Sequence, residues 1–503
     1  MPDGASEHTV PEVLHVGDRH RPRVDLVGHP HLAPRGVEGL PYDGPVPPSP
    51  DDRRPTGNSG SGSTPGGDDG SISIEEIEDA VVDGDTPVPA RSGTARAALS
   101  HRTFRIVFLG AFASNIGTWM QNVVLGAYAY DLTHSATFVG VIIFAQLGPT
   151  LILPMVGGLL ADKVDRKHFL TVLSIEQLVF SLGVAVVASS PHPSHVLLVV
   201  MVLGVGAGSA MFGPAYSAVL PGLVGKQDLP GAISLNSAQM NASRVIGPVI
   251  GGVLYSLVGP AWIFAGNAAT YLFVVGALMI VTLPKVQQAP TGASRWRQLT
   301  AGITVARQDR VVGRCLVTVF VFSLLALAFI GQMPVVAAHN LGIDLSKSAD
   351  YGILYASFGT GALIGAISIG TVFARTSKPM LVRVCLVGYS VALCSFALQR
   401  SPVPADVCVA ITGAFYFAFI TALNTTLQAR VHENVRGRVM ALWMMGFGGT
   451  VGVGNLLIGP VVEAVGITTV LLFGAAVALA LAWYADVRTP PEVQVVLGVE
   501  LAQ

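Results

Sequence analysis

Twelve apolar stretches run from Phe104 to Ala485, separated by short polar segments. They fall at 105–130, 137–161, 169–189, 195–219, 233–257, 261–283, 312–336, 350–373, 380–399, 406–428, 439–462 and 465–485. A bilayer span needs about 20 apolar residues at a rise of 1.5 Å each. The pattern therefore predicts an all-α membrane protein with twelve transmembrane helices. The longest internal connection, 284–311, divides them six and six. This gives an N-terminal six-helix bundle over 101–283, a linker over 284–311, a C-terminal bundle over 312–485 and a tail over 486–503. Within the linker, Trp296, Leu299, Ile303 and Ala306 share one helical face, with Arg297, Arg307 and Arg310 elsewhere around it. That arrangement predicts an interfacial helix lying on a leaflet.

The first 100 residues follow another rule. Tyr42 is their only aromatic residue, and Pro, Gly, Ser and Asp dominate. Such a segment buries too little apolar surface to offset its ordering entropy, so residues 1–100 are expected to be a disordered acidic tail. Ile72 to Val82 reads as one short acidic amphipathic helix within it. His8, His15, His20, His29 and His31 are irregularly spaced and are not taken as a metal site. No short apolar leader with a cleavage site precedes the first span.

Only 12% of the 503 residues are charged, and 51% are hydrophobic. The formal net charge of −1 hides an asymmetry: residues 1–97 carry −9 and the remainder +8. Loop cations are more informative. Counted over the loops, 21 Lys and Arg fall on the side of the 162–167 hairpin and 2, Lys347 and Arg400, on the other. The positive side of a membrane protein is cytoplasmic, so both termini are expected inside the cell. The four cysteines lie in or beside apolar runs without ligand spacing and read as packing residues.

Charge inside a span costs about 2.5–3.5 kcal/mol and asks for a reason. Two residues raise that question. Glu176 lies roughly 12 Å along the third span, and Arg244 lies in the fifth. Glu176 is a candidate proton carrier or a neutral structural carboxyl. Ser237, Asn241, Arg244, Pro248, Gly251 and Tyr255 step by three and four and share a helix face. This suits a helix that borders a polar cavity and packs closely on a neighbour, with Arg244 and Asn241 as cavity candidates; a purely structural Arg244, bonded to backbone carbonyls, is the alternative. The first span carries Asn115, Thr118, Gln121 and Asn122 around Trp119. Asn115, Gln121 and Asn122 suit either an amphipathic organic ligand or hydrogen bonding between helices. Gln146, Tyr216, Gln332, Tyr416 and Asn424 are weaker candidates of the same kind.

The hairpin between the second and third spans reads Gly158-Leu-Leu-Ala-Asp162-Lys-Val-Asp-Arg166-Lys167-His-Phe-Leu170. It resembles the loop signature of the major facilitator superfamily, Gly-x-Leu-Ala-Asp-Arg-x-Gly-Arg-Lys-x-x-Leu. Gly158, Asp162, Arg166 and Lys167 match, and Asp165 replaces the second glycine. Gly247-Pro248-Val-Ile-Gly251-Gly252 matches the core of the fifth-helix motif of superfamily exporters, without its extra upstream glycines. Gly213 to Pro221, Asn236 to Pro248, and Arg436-Gly-Arg438 before the eleventh span resemble the enterobactin-exporter-like branch, the transmembrane secretion effectors.

The resemblance covers about residues 100–485 and implies two six-helix bundles rocking around a central site. It implies a cytoplasmic latch at Asp162, Arg166 and Lys167, a leak seal at the fifth helix, and proton-driven export of drugs or siderophores. The first span lacks the acidic residue that several such pumps carry, which leaves Glu176 as the deep carboxyl. The expected partners are a small-molecule substrate, protons and membrane lipid, with the chain a monomer in the cell inner membrane. No phosphate-cradling loop appears, since Gly225-Lys226 is followed by Gln227. No nucleophile motif or metal-ligand cluster appears either, so no enzyme, cofactor or metal is expected. The acidic tail argues against nucleic acid. A facilitator importing a nutrient or moving a lipid is the alternative, and a non-transporting scaffold or sensor a minor one.

Overall fold

The computed structural model describes residues 92–282, 303–347 and 349–487. The tail before residue 92, Trp296, Arg297 and Leu299 of the expected interfacial helix, and the C-terminal tail from residue 488 lie outside these residues. Every regular element among the described residues is helical.

Helical structure among the described residues begins earlier than the apolar pattern indicates. Residues 92–100, assigned above to the disordered tail, include a helix at Ala95–Ser100. The Thr94 hydroxyl caps it by accepting from the Ala97 amide at 3.2 Å. Ala97 and Ala98 are buried. The Gly93 amide and the His101 ring anchor the segment to the Asp228 carboxylate at 2.9 and 2.8 Å. Its alanines bury well but score weakly as an apolar run, so the sequence pattern passes over it.

Nine described helices are long and apolar enough to cross a bilayer. They account for the third span onward, the fourth and fifth counting as one helix. The first span, Arg102–Thr133, has length to spare, and its polar residues dilute its hydropathy. The second is interrupted: Ala136–Leu147 and Leu153–Lys163 flank a 3₁₀ turn at Gly148–Leu151 containing Pro149. The fourth and fifth spans form His195–Val258, broken at Gly225 with φ 75°. Glycine alone takes that conformation without strain. The twelve apolar stretches are twelve spans.

Two spans of the second half change helical pitch. The seventh runs Arg310–Val321, then a π-helical turn at Phe322–Ala326, and ends in Met333–Leu341. The eleventh runs Glu433–Met444, a π-helical turn at Met445–Gly449, then Thr450–Val465. The remaining spans are Arg166–Ala188, Pro260–Ile280, Asp350–Gly370, Lys378–Ala397, Pro402–Arg430 and Ile467–Tyr484.

The halves meet along two seams, the second span against the eleventh and the fifth against the eighth. Both seams are lined by glycine, which lets backbones touch. Gly140 abuts the Asn455 backbone, Gly459 abuts Ala136, and Gly252 abuts Gly352. These contacts cluster toward the end that carries Ser135 and Glu463, opposite the charged hairpin. The buried apolar side chains split accordingly. One cluster runs from that end of the first half through the second half. A separate one, including Phe104, Phe169, Leu220 and Leu278, holds only the charged-loop end of the first half. The halves are joined at one end and have separate cores at the other.

Candidate functional site

Arg244 is the side chain around which a site is built. The stretch of the fifth span near it packs by glycine on two neighbours: Gly247 and Gly251 lie against Trp119 and Met120, and Gly359 of the eighth span lies against the Arg244 carbonyl. This close packing brings the guanidinium between two rings. Its Cζ sits 5.2 Å from the Trp119 centroid and 4.8 Å from that of Phe417 in the tenth span. Each such contact contributes about 0.5–2 kcal/mol, which offsets much of the cost of a cation at this depth. One terminal nitrogen donates weakly to Asn241 Oδ1 at 3.5 Å, and Nε has no partner within the protein.

The guanidinium opens on a cavity of about 180 Å³ lined by both halves. Trp119, Tyr355, Phe358, Tyr416, Phe417 and Phe447 line it, drawn from the first, eighth, tenth and eleventh spans. The irregular turns of the second, seventh and eleventh spans also reach it, through Leu147, Leu327 and Gly448. Breaks in helical pitch often mark functional positions because they free side chains and carbonyls from the regular ladder. A cavity with one cation and six aromatic side chains suits an aromatic or acidic organic group.

The other polar candidates are dispersed. Gln121 is buried in a hydrogen-bond cluster that joins three helices: its Oε1 accepts from Ser181 Oγ at 2.6 Å and from Asn267 Nδ2 at 2.8 Å. Asn122 accepts from Gln146 across the first and second spans. Of the two readings, interhelical bonding describes both residues. Asn115 lines a different cavity, formed mainly by the first half. Glu176 does not join Arg244. Its carboxyl lies against Gly208 of the fourth span, with Oε2 unpartnered within the protein. It borders the exposed apolar stripe of Val172, Ile175 and Val179.

The sequence profile of the transmembrane secretion effectors matches residues 93–494. The chain belongs to this family of the major facilitator superfamily. It is similar to the enterobactin exporter of Salmonella typhi, 28% identical over 356 residues, covering 68% of this chain and 82% of that one. The enterobactin exporter of Shigella boydii serotype 4 is 29% identical over 349 residues, covering 68% and 81%. In fold it matches a nucleoside transporter, with TM-score 0.64 at 14% identity, over 77% of this chain and all of that one. It also matches a bacterial homologue of the human lysosomal transporter Spinster, solved inward-facing and unoccupied, with TM-score 0.58 at 15% identity over 78% and 99%. The protein is a multi-pass membrane transporter.

The signature residues of this transporter hold helix ends. Arg166 donates to the Ala218 carbonyl at 2.8 Å, and Lys167 to the Val281 carbonyl at 2.7 Å. Cations at helix C-termini complement the exposed carbonyls and the dipole. Asp165, the departure from the family pattern, has φ −58° and caps the third span by accepting from the His168 amide at 2.9 Å. The turn thus needs no glycine. Asp162 lies in Leu153–Lys163 next to that turn. The close helix contact near Gly158 is made by Gly157 against Met211. Arg436 is exposed and Arg438 half-buried at the start of the eleventh span, away from the cavity. Pro248 and Gly252 of the exporter motif form the backbone crossing with Gly352.

Several cavity-lining and structural residues escaped the sequence reading. Phe417, Tyr355, Phe358 and Phe447 are scattered aromatic residues on different spans, and only the fold gathers them. Arg430 pairs with Asp309 at 2.8 Å, and Asp309 also caps Arg310–Val321. The cap was legible, as an acidic residue just before an apolar run.

Proposed function

We propose that this transporter exports small organic molecules bearing an aromatic or acidic group, siderophores among them, from the cytoplasm across the inner membrane by alternating access, with protons moving in exchange. The observation that carries the reading is Arg244, held between Trp119 and Phe417 in a cavity lined by both halves. A guanidinium with its faces covered by rings keeps its in-plane N–H groups for an acceptor, and here Nε is unpartnered within the protein. An acidic oxygen of a substrate completes that set by a charge-assisted hydrogen bond. The likeness to enterobactin exporters supports the siderophore class.

The loop cations, 21 against 2, support a charged-loop end and both termini in the cytoplasm. Since the halves have separate cores at that end, substrate enters there, and rocking about the glycine seams carries the site to the other face. Glu176 is the deep carboxyl available for the proton, and its place in the seam between the third and fourth spans couples protonation to helix packing rather than to direct contact with the ligand at Arg244.

The test uses everted vesicles containing a pH-sensitive dye, an imposed proton gradient, and a panel of siderophores and amphipathic drugs. A compound that is carried collapses the gradient. Arg244→Ala is expected to lower the rate at least about tenfold, the loss of one charge-assisted hydrogen bond. Glu176→Gln is expected to abolish the collapse while leaving compound binding intact. Unchanged collapse in Glu176→Gln removes that residue from the mechanism. Silence across the panel, with inserted and folded protein, overturns proton-coupled export.

A further inference from the structure

A second cavity, of about 500 Å³, lies within the first half among the first, third, fourth, fifth and sixth spans, with Met444 of the eleventh at its rim. It shares no lining residue with the Arg244 cavity, yet the two are stacked along the same helices. Asn115 and Thr118 line the second cavity and Trp119 the first. Met240 and Arg244 divide in the same way on the fifth span, as do Met444 and Phe447 on the eleventh. The second cavity therefore sits about one turn, roughly 6 Å, nearer the charged-loop end.

Its chemistry differs. Asn115, Gln177, Asn236, Gln239, Tyr216 and Tyr271 supply neutral donors and acceptors, with Phe212 and Val274 as apolar wall. None of its lining residues is Lys, Arg, Asp or Glu. Two of its polar groups are buried and face each other: Tyr216 is 7% and Gln239 3% exposed, and beyond that mutual contact the Tyr216 hydroxyl and Gln239 Oε1 have no partner within the protein. The Gln239 amide nitrogen is fixed by Asn236 Oδ1 at 2.8 Å, which leaves the oxygen as an acceptor in a set orientation. Buried polar groups short of partners are uncommon and ask for a ligand or a role. A charged ligand would lose its hydration here without a counter-charge, whereas a neutral ring carrying hydroxyl or amide groups would satisfy both atoms.

We propose that this cavity is a second, loading subsite that binds a neutral aromatic group bearing hydroxyl or amide substituents, separate from the acidic or aromatic group bound at Arg244. The subsite rests on the export reading only for the side from which ligand arrives; binding at the two cavities is measured without transport.

The test is a ligand-observed NMR titration of the full-length protein in nanodiscs at neutral pH. The probes are 4-hydroxybenzamide and 4-hydroxybenzoate, which share a ring and differ in charge. Gln239→Ala is expected to weaken benzamide binding at least about fivefold, the loss of one buried hydrogen bond, and to leave benzoate binding unchanged. Retained benzoate binding reports that the variant is folded, and Tyr216→Phe serves as the milder second variant. Arg244→Ala is expected to do the reverse, and the probes should not compete. One-for-one competition, benzamide binding indifferent to both Gln239→Ala and Tyr216→Phe, or no benzamide binding to the wild type would each overturn the subsite. Failure of the vesicle assay alone leaves this result standing, so the two readings fail separately.

Discussion

The two ends of the helical bundle are held by different means. At the end bearing Ser135 and Glu463, the halves touch backbone to backbone at Gly252 and Gly352 and at Gly140 and Asn455. Hydrogen bonds cross the same seam: Glu463 Oε1 accepts from Ser135 Oγ at 2.5 Å and from the Thr137 amide at 3.0 Å, and Tyr351 donates to the Val123 carbonyl at 3.3 Å. At the charged-loop end, several bonds among the described residues lie within one half. Arg166 and Lys167 reach Ala218 and Val281, whereas Arg430 meets Asp309 and Arg314 donates to the Asp486 carbonyl at 2.7 Å. A seam of glycines is stable because nothing intervenes, and it opens only by moving two backbones apart together. Cations on backbone carbonyls are half-buried contacts that can be exchanged for others. The second kind suits a gate, and the first suits the pivot and seal opposite it.

The most severe way to break this contrast is to put a side chain into the seam. Gly252→Leu places bulk against Gly352 and is expected to cost about 1–3 kcal/mol of overpacking in the joined state. That corresponds to a shift of roughly 5- to 150-fold toward the state with this end open. A cysteine introduced for His339, which borders cavities at this end, should react correspondingly faster with a membrane-impermeant maleimide, and transport should fall with it. An unaltered labelling rate in folded protein would show that the glycine seam does not set which end is open.

A milder change sharpens the comparison. Glu463, from the second half, accepts from the first turn of the second span, where negative charge is favoured by the helix dipole. Glu463→Gln keeps the shape and removes the charge. The expected effect is about 2- to 5-fold faster labelling of the same cysteine, the equivalent of 0.3–1 kcal/mol. No change would assign the closure to glycine packing alone.

The smallest effect is expected at the charged-loop end. His101 first, then the Gly93 amide, holds the Asp228 carboxyl below the usual carboxylate range. A depressed value means that the contact contributes its stability above the ordinary carboxylate pKa of about 4 and loses it as the pH falls further. Hydrogen exchange at residues 95–100 should therefore be constant from neutral pH to about 4 once corrected for the intrinsic rate, and Asp228→Asn should raise it at all of these values. Transport should change less than about twofold, as is usual for exposed contacts. A large loss of transport would give the short helix a part in the gate that its packing within one half does not suggest.

Much of this was readable from the chain itself. Apolar runs of about 20 residues allow few arrangements in a bilayer, because each backbone must satisfy its own hydrogen bonds there. Arg244 stood out for the same reason, as a charge at a depth where charge is expensive. Glu176 stood out equally, yet it lies in a peripheral seam beside Gly208, because a helical period tells which residues share a face and not which helix that face meets. Gln121 and Asn122 were visible as polar residues, but whether they serve a ligand or a neighbour depended on Asn267, Ser181 and Gln146, which no local spacing links to them.

What the sequence determined by itself, then, is what local physics and a membrane dictate: twelve spans, their division into halves, the cation asymmetry between loops, and a guanidinium that needs a reason. Tertiary structure alone decided where that reason is. Phe417 lies far along the chain from Arg244 and Trp119, and it joins them only because glycines on facing helices let the fifth, eighth and tenth spans approach closely. Close approach depends on what both surfaces lack, and one strand of sequence carries only one of those surfaces.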